Sequence, residues 1–262
     1  MKLAVYEMLY KTLKSLKGGT NDESNGRHII PAVAAAATDS HRPRILDVGA
    51  GYGADLSAIA KRLTALGRLP ELFAIESFPA SIAHLENMGI SVRQVDIEHN
   101  SLPFPDDYFD VVVCNQVLEH TKEIFWVVSE IARVTKRDGK IIVGVPNLGS
   151  LHNRIALLVG HQPPAIHVLG THVRGFTVPG LTEFLETGGV LKVTRVFGGN
   201  FYPFPPRVSR ILSKFLPRFS VSSFYLIEHG PVKGGFLDIL DTPIGARLVD
   251  TPYFRGATKP AS

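Results

Sequence analysis

The sequence predicts an α/β fold built on a doubly wound, mostly parallel sheet, and three observations point to it. First, strand-like and helix-like hydrophobic periods alternate along residues 44–146. Second, the apolar run Ile45-Leu46-Asp47-Val48 passes straight into Gly49-Ala50-Gly51-Tyr52-Gly53 and then into an amphipathic helix. A strand, a glycine turn and a helix N-terminus let backbone approach a nucleotide-like ligand closely. Third, 45% of the 262 residues are hydrophobic, enough for a sizeable core.

Taken in order, Leu3, Tyr6, Leu9, Tyr10, Leu13 and Leu16 recur at helical spacing and predict a leading amphipathic helix over 3–16. A polar segment and a short alanine-rich run follow, and residues 1–39 form a lead-in. Arg44–Val48 reads as a buried strand. Leu56, Ile59, Ala60, Leu63 and Leu66 stripe the next helix, which Gly67 stops. Strands are predicted at Leu72–Glu76, Ser91–Asp96, Phe109–Cys114 and Lys140–Val145, with helices at Ala80–Met88 and Ile124–Val134 between them. Such alternation implies βαβ crossovers.

Residues 147–175 break the rhythm with four histidines, several glycines and Pro163-Pro164, as expected of a lid-like insertion. Regular elements resume with a helix near 178–187, a strand near 190–197, a basic helix at 206–216 and a strand at Val221–Glu228. The last strand should close the sheet in antiparallel fashion. The main domain therefore spans 40–229, and 230–262, rich in Gly and Pro, reads as an irregular arm whose length would suit a homodimer contact.

Bulk properties exclude several classes. A net charge of +4 with no Lys/Arg block interleaved with aromatics argues against nucleic acid as a partner. No apolar run of about 18 residues is present, so no transmembrane segment is expected. The N-terminal residues lack a signal-peptide core, and one cysteine, Cys114, suits a reducing compartment; together these predict a cytoplasmic protein. The basic helix at 206–216 reads either as a solvated face or as a peripheral contact with a membrane surface or acidic glycan.

Four groups fall where a doubly wound sheet places its ligand, at the carboxyl ends of consecutive strands. They are Asp47 with the glycine turn, Glu76 (with Ser77 beside it), Asp96-Ile97, and Asn115-Gln116. A carboxylate ending the second strand can accept hydrogen bonds from both hydroxyls of a ribose. Asp96 can accept from an adenine amino group, with Ile97 and Phe78 offering apolar surface to the ring. Asp47 would oppose a pyrophosphate and favour a ligand carrying an ammonium and a sulfonium. Each acid also has an ordinary use: Asp47 can cap the turn, and Glu76 can be an exposed strand-end acid.

On these residues, with Leu102-Pro103-Phe104-Pro105-Asp106-Asp107-Tyr108-Phe109-Asp110, Val117-Leu118-Glu119-His120 and Pro146-Asn147, the chain resembles the class I S-adenosylmethionine-dependent methyltransferases over about residues 40–200. The resemblance implies a Rossmann-like sheet of seven strands with an antiparallel terminal strand and an insertion over the active site. It implies S-adenosyl-L-methionine as cofactor, with Gly49, Gly51 and Gly53 around its methionine part, Glu76 on the ribose, Asp96 and Ile97 at the adenine and Asn115 near the sulfonium.

His120, His152 and Glu119 are the candidate catalytic groups, with His161, His167 and His172 as further bases in the insertion. The Leu-Glu-His motif is similar to that of quinone-precursor O-methyltransferases, which implies that Glu119 and His120 could hold a divalent metal such as Mg. The region from Pro146 to Thr177 resembles bacterial methyltransferases associated with cell-surface glycans. The expected activity is thus O-methylation of a sugar hydroxyl in a glycan or glycolipid. A phenolic, quinone-type or secondary-metabolite acceptor and a non-catalytic cofactor-binding subunit are the alternatives.

Overall fold

The computed structural model describes residues 28–246 and 253–256, so the helix expected at 3–16 lies outside the described residues. Seven strands form one sheet: β1 (Arg44–Val48), β2 (Glu71–Ile75), β3 (Ser91–Arg93), β4 (Phe109–Asn115), β5 (Thr135–Pro146), β6 (Leu191–Gly199) and β7 (Ser222–His229). Their order across the sheet is β3-β2-β1-β4-β5-β7-β6. Every pairing from β3 to β5 is parallel, and β7 runs antiparallel to both β5 and β6. The last strand in sequence is therefore antiparallel, as expected, and it is wedged inside the sheet rather than laid on its edge.

Strand order reverses between β1 and β4, and the crevice outside their carboxyl ends is where such sheets bind ligands. Side chains alternate faces along a strand. Leu46, Val112, Cys114, Ile141 and Val143 belong to one buried cluster, and Ile45, Val111, Val113 and Ile142 to the other. Both faces are covered, which is why these strands read as continuous apolar runs.

On the second face lie α1 (Ile29–Ala36), α2 (Ala54–Ala65) and α3 (Pro79–Asn87), through Ile30, Ala34, Leu56, Ile59, Leu63 and Leu85. The first face is covered by α4 (Ile124–Val134) and by Leu181 and Leu185 of α6 (Val178–Glu186). Phe236, Ile239 and Leu240 join that cluster, and Phe125 packs edge-on against Phe184 at 5.0 Å and Tyr253 at 4.7 Å. The described part of 230–262 thus packs back against α4.

Local departures from expectation have physical causes. The alanine-rich run becomes α1, because its small residues let the helix lie close to α2, and Arg68 Nη1 donates to Ala35 O at 2.8 Å near its C-terminus. Leu66 caps α2 and is more than half exposed rather than buried. The third strand ends at Arg93, not Asp96, because Asp96 turns the chain by accepting from Glu98 N at 3.0 Å. The fifth begins at Thr135, ahead of the charged Lys136-Arg137-Asp138 that hid it.

The insertion holds α5 (Leu151–Leu158) and a short 3-10 turn at Pro164–Ile166. It is rooted by Asn147, which is wholly buried. Asn147 Nδ2 donates to Arg218 O at 3.0 Å and Ser220 O at 2.8 Å, its Oδ1 accepts from Gly149 N at 2.9 Å, and its carbonyl accepts from Asn153 Nδ2 at 3.0 Å. Finally α7 (Pro206–Phe215) connects β6 to β7. Among the described residues, no helix is long and apolar enough to cross a membrane.

Candidate cofactor site and its roof

The chain leaves β1 through three glycines in the left-handed region, with φ of 76° at Gly49, 53° at Gly51 and 74° at Gly53. An L side chain there is strained. At Gly49 a Cβ would also meet Val117 Cγ2 at 2.5 Å, whereas Gly51 has open space around it, as close backbone approach to a ligand requires. Gly49 N and Ala50 N both donate to Ile75 O, at 2.9 and 3.2 Å, which pins the turn to the end of β2.

Glu76 completes that tether. Its Oε2 accepts from Gly51 N at 2.6 Å, and its Oε1 accepts from Ser77 N at 2.7 Å and Phe78 N at 2.9 Å. Each carboxylate oxygen has two lone pairs, so acceptor capacity remains on Oε2 for a ribose hydroxyl. Asp47 sits in β1 between Ala74 and Val113 and is almost wholly buried. Ser77 is exposed and accepts from Gln94 Nε2 at 3.2 Å.

One strand further out, Asp96 is exposed and bonded to His99 Nδ1 at 2.9 Å. The His99 hydrogen bond and the Glu98 N–H hold its carboxyl below the usual range, and the same contact raises the imidazole. Ile97 is half-buried against the core. The strand-end groups therefore line up along β3, β2, β1 and β4, with a hydrogen bond joining Gly51 to Glu76.

Sequence reasoning missed one residue here. Asp55, in the first turn of α2, accepts from Asn115 Nδ2 at 2.7 Å and couples the helix N-terminus to the end of β4. A first-turn acid is commonplace, so nothing in the sequence set it apart.

The segment just beyond β4 is the most unusual. Gln116 has φ of 59° and donates its N–H to Gly144 O at 2.7 Å. Asn115 Oδ1, Gln116 Nε2 and both oxygens of Glu119 are buried without a hydrogen-bond partner. Each such atom costs about 1–3 kcal/mol. Four such atoms fall within five residues, and native folds seldom concentrate them in this way. Burial pushes the Glu119 carboxyl up from 4.5 to about 7. The neighbouring Cys114 thiol is driven upward too, by burial and then by Glu119 and Asp47, so it is a packed side chain and not a nucleophile.

The roof closes on Glu119 from above. Val173 N and Arg174 N donate to its backbone carbonyl at 2.8 and 3.2 Å. His120 Nδ1 lies 3.2 Å from Thr171 O, and its ring meets the His172 ring edge-on at 4.7 Å. Ligand atoms of Glu119, His120 and His172 all lie within 4.8 Å of one another. A carboxylate and two imidazoles are donors that suit a divalent cation. His152 is elsewhere: it contacts Ser150 Oγ at 3.2 Å and packs against Tyr202 at 5.5 Å, outside the Glu119 cluster. Sequence reasoning named His172 only as one of several roof bases; spacing alone could not bring it 52 residues back to His120.

A mostly parallel sheet with a glycine turn after β1 and acids at or just beyond the ends of the neighbouring strands is the arrangement that Rossmann-like folds use to bind nucleosides. Residues 46–143 match the methyltransferase domain family. A probable S-adenosylmethionine-dependent methyltransferase of Mycolicibacterium smegmatis is 36% identical over 145 residues, 54% of this chain and 48% of that protein. The malonyl-[acyl-carrier protein] O-methyltransferase of Halorhodospira halophila is 28% identical over 115 residues, 43% of this chain and 38% of that protein. The crystal structure of the YcgJ protein from Bacillus subtilis superposes with a TM-score of 0.52 at 18% identity, covering 79% of this chain and all of that one, a likeness of fold. Residues 46–143 are thus similar to a methyltransferase domain, and the similar curated proteins include probable S-adenosylmethionine-dependent methyltransferases. The chain spans about half the length of the curated relatives it matches.

Proposed function

We propose that the chain is an S-adenosylmethionine-dependent O-methyltransferase whose acceptor is a hydroxyl, in the first instance of a sugar in a glycan or glycolipid, acting in the cytoplasm. The observation that carries the proposal is the run of orphaned polar atoms on Asn115, Gln116 and Glu119, beside the glycine turn and under a roof rich in histidine. The O-methyltransferase named among the relatives is consistent with an oxygen acceptor.

The residues fit the cofactor chemically. Asp47 and the orphaned Asn115 Oδ1 supply acceptor character for the amino-acid part, Glu76 for the ribose, and Asp96 with Ile97 for the adenine. The bound cofactor supplies a methyl group made electrophilic by the sulfonium. What the protein must add is alignment of the acceptor oxygen and removal of its proton. Glu119, titrating near neutrality, and His120 are the groups poised to take that proton, and His172 is near enough to share it. The same three side chains would serve as the ligands of a divalent cation, which there would lower the pKa of a bound hydroxyl. His152 lies apart from these three groups, beside Ser150 and Tyr202.

The test uses purified protein, methyl-labelled cofactor and fractionated cell extract, with mass analysis of labelled products. Label in a carbohydrate-containing product supports the proposal. Tight cofactor binding with no labelled product at all favours a cofactor-binding subunit, and label in an aromatic product moves the acceptor to the phenolic class.

A further inference from the structure

The helix α7 packs the wrong way round for a helix that only covers a core. Its most buried side chains are the small polar Ser209 and Ser213, one turn apart. Ser209 Oγ accepts from Phe201 N at 2.6 Å, and at Gly198 of β6 a Cβ would meet the Ser213 carbonyl at 2.6 Å. The serine face is thus held tightly against β6, and that contact fixes the helix's rotation. Residues three to four apart share a helix face, so Val208, Ile211 and Phe215 form an apolar stripe on another side. Ile211 is 60% exposed and Phe215 72%. Single exposed apolar residues mean little, but a stripe of them on a packed helix does.

The charge around this stripe has one sign. Arg207, Arg210 and Lys214 flank it on the same helix, all exposed, and Arg218 follows. No acid occurs between Glu186 and Glu228. Across residues 139–227 there are nine Lys/Arg against two acids, a net of +7, whereas the rest of the chain carries 19 against 22, a net of −3. The mild overall charge conceals this asymmetry.

The roof continues the surface. Arg154 of α5 stacks over Phe219 at 4.9 Å, and Asn147 ties the roof's root to Arg218 and Ser220, so α5 adjoins the turn that follows α7. On the roof, Leu158 is 85% exposed and Leu169 is 90% exposed.

We propose that the exposed apolar stripe of α7, with its cationic flank and the adjoining roof, is a docking surface for an anionic lipid bilayer. A lipid interface satisfies both halves of the pattern, since apolar side chains enter the acyl boundary while Arg and Lys meet phosphate headgroups. The site beneath the roof would then draw its acceptor from the membrane. That last clause rests on the proposed methyl transfer; the docking does not, and is measured without turnover.

The experiment is flotation of the full chain with vesicles of phosphatidylcholine alone or with a third of phosphatidylglycerol, at low and high salt. The expected result is binding to the anionic vesicles, weakened at least tenfold by high salt or neutral lipid. Ile211→Glu with Phe215→Glu should abolish binding, and Arg207→Gln with Lys214→Gln should weaken it about tenfold. Circular dichroism and cofactor affinity should be unchanged in both. Absence of binding by the wild type, or full binding by the Ile211/Phe215 variant, overturns the proposal. So does a wild-type dimer that this variant converts to monomer, or binding that appears only when residues 1–27 are removed, because another copy or the chain's own N-terminal segment would then be the occupant.

Discussion

Glu119 is a carboxylate that the fold leaves almost wholly without solvent, and neither of its oxygens has a hydrogen-bond partner. Its carboxyl titrates near 7 in the folded chain instead of near 4.5. At 1.36 kcal/mol per pH unit, that displacement corresponds to roughly 3 kcal/mol. The sign follows from proton linkage. A group whose pKa is raised by folding binds its proton more tightly in the native state, so its favourable contribution is complete below about 4.5 and is lost as pH rises through about 7. Above pH 7 the folded chain carries a desolvated anion, and about 3 kcal/mol of stability has gone. Glu119→Gln removes the ionisation while preserving shape. Urea unfolding of both proteins at pH 5, 6, 7 and 8.5, with a chelator and without cofactor, should show the wild type losing stability relative to the variant across that range. By pH 8.5 the variant should be ahead by about 2–3 kcal/mol relative to the difference at pH 5. A wild-type-to-variant difference that stays constant with pH would refute the reasoning. With divalent metal added, the order should move back toward the wild type, because only it has the carboxylate ligand.

Three further outcomes follow from packing and hydrogen bonding. Gly49→Ala combines backbone strain at φ 76° with a collision against Val117, and should cost about 3 kcal/mol by denaturant titration, whereas Gly51→Ala, with open space, should cost about 1 kcal/mol. Gly51→Ala should nonetheless lower cofactor affinity by calorimetry, since its methyl occupies the approach to the turn. Asn115→Ala removes the donor to the buried Asp55 carboxylate and should reduce both stability, by about 1–3 kcal/mol, and cofactor affinity. Arg133 donates to Glu130, Leu102 O, Phe104 O and Asp106, so Arg133→Ala should destabilise by about 3–5 kcal/mol in thermal or urea unfolding by stranding the buried Glu130. Arg133→Lys should recover only part of this, because an ammonium cannot span the fork.

Where periodicity and punctuation agree, the elements are legible in the residues themselves. The helix Ile124–Val134 is found with both ends correct, and the strand after Pro43 likewise, because their apolar faces are fully buried. The parallel order and the cofactor class are legible because Asp47, Glu76 and Asp96 each end or follow a strand. What escapes is what depends on three-dimensional approach. The Asp55–Asn115 bond spans 60 residues, and the meeting of His172 with Glu119 requires the roof to fold back over β4. The start of β5 hides behind Lys136-Arg137-Asp138, since Lys136 is satisfied by Asp110 at 2.7 Å, a partner no local pattern reveals. The inward turn of Ser209 and Ser213 is equally invisible, because spacing alone does not say which face of a basic amphipathic helix meets the sheet.

The position of β7 also has a consequence for self-association. By taking the interior place, it leaves β6 as one margin of the sheet and the three-residue β3 as the other. A long strand at a margin invites pairing with a second chain. β6 spans nine residues, yet its register against β7 slips between Val193 and Arg195, and Lys192 and Arg195 are exposed along it. A bulge with charges is how natural sheets blunt an open margin. At β3 there is too little backbone to template a partner. Among the described residues both borders of the sheet are therefore blunted against pairing with a second chain, which favours association through side-chain surfaces over backbone hydrogen bonding.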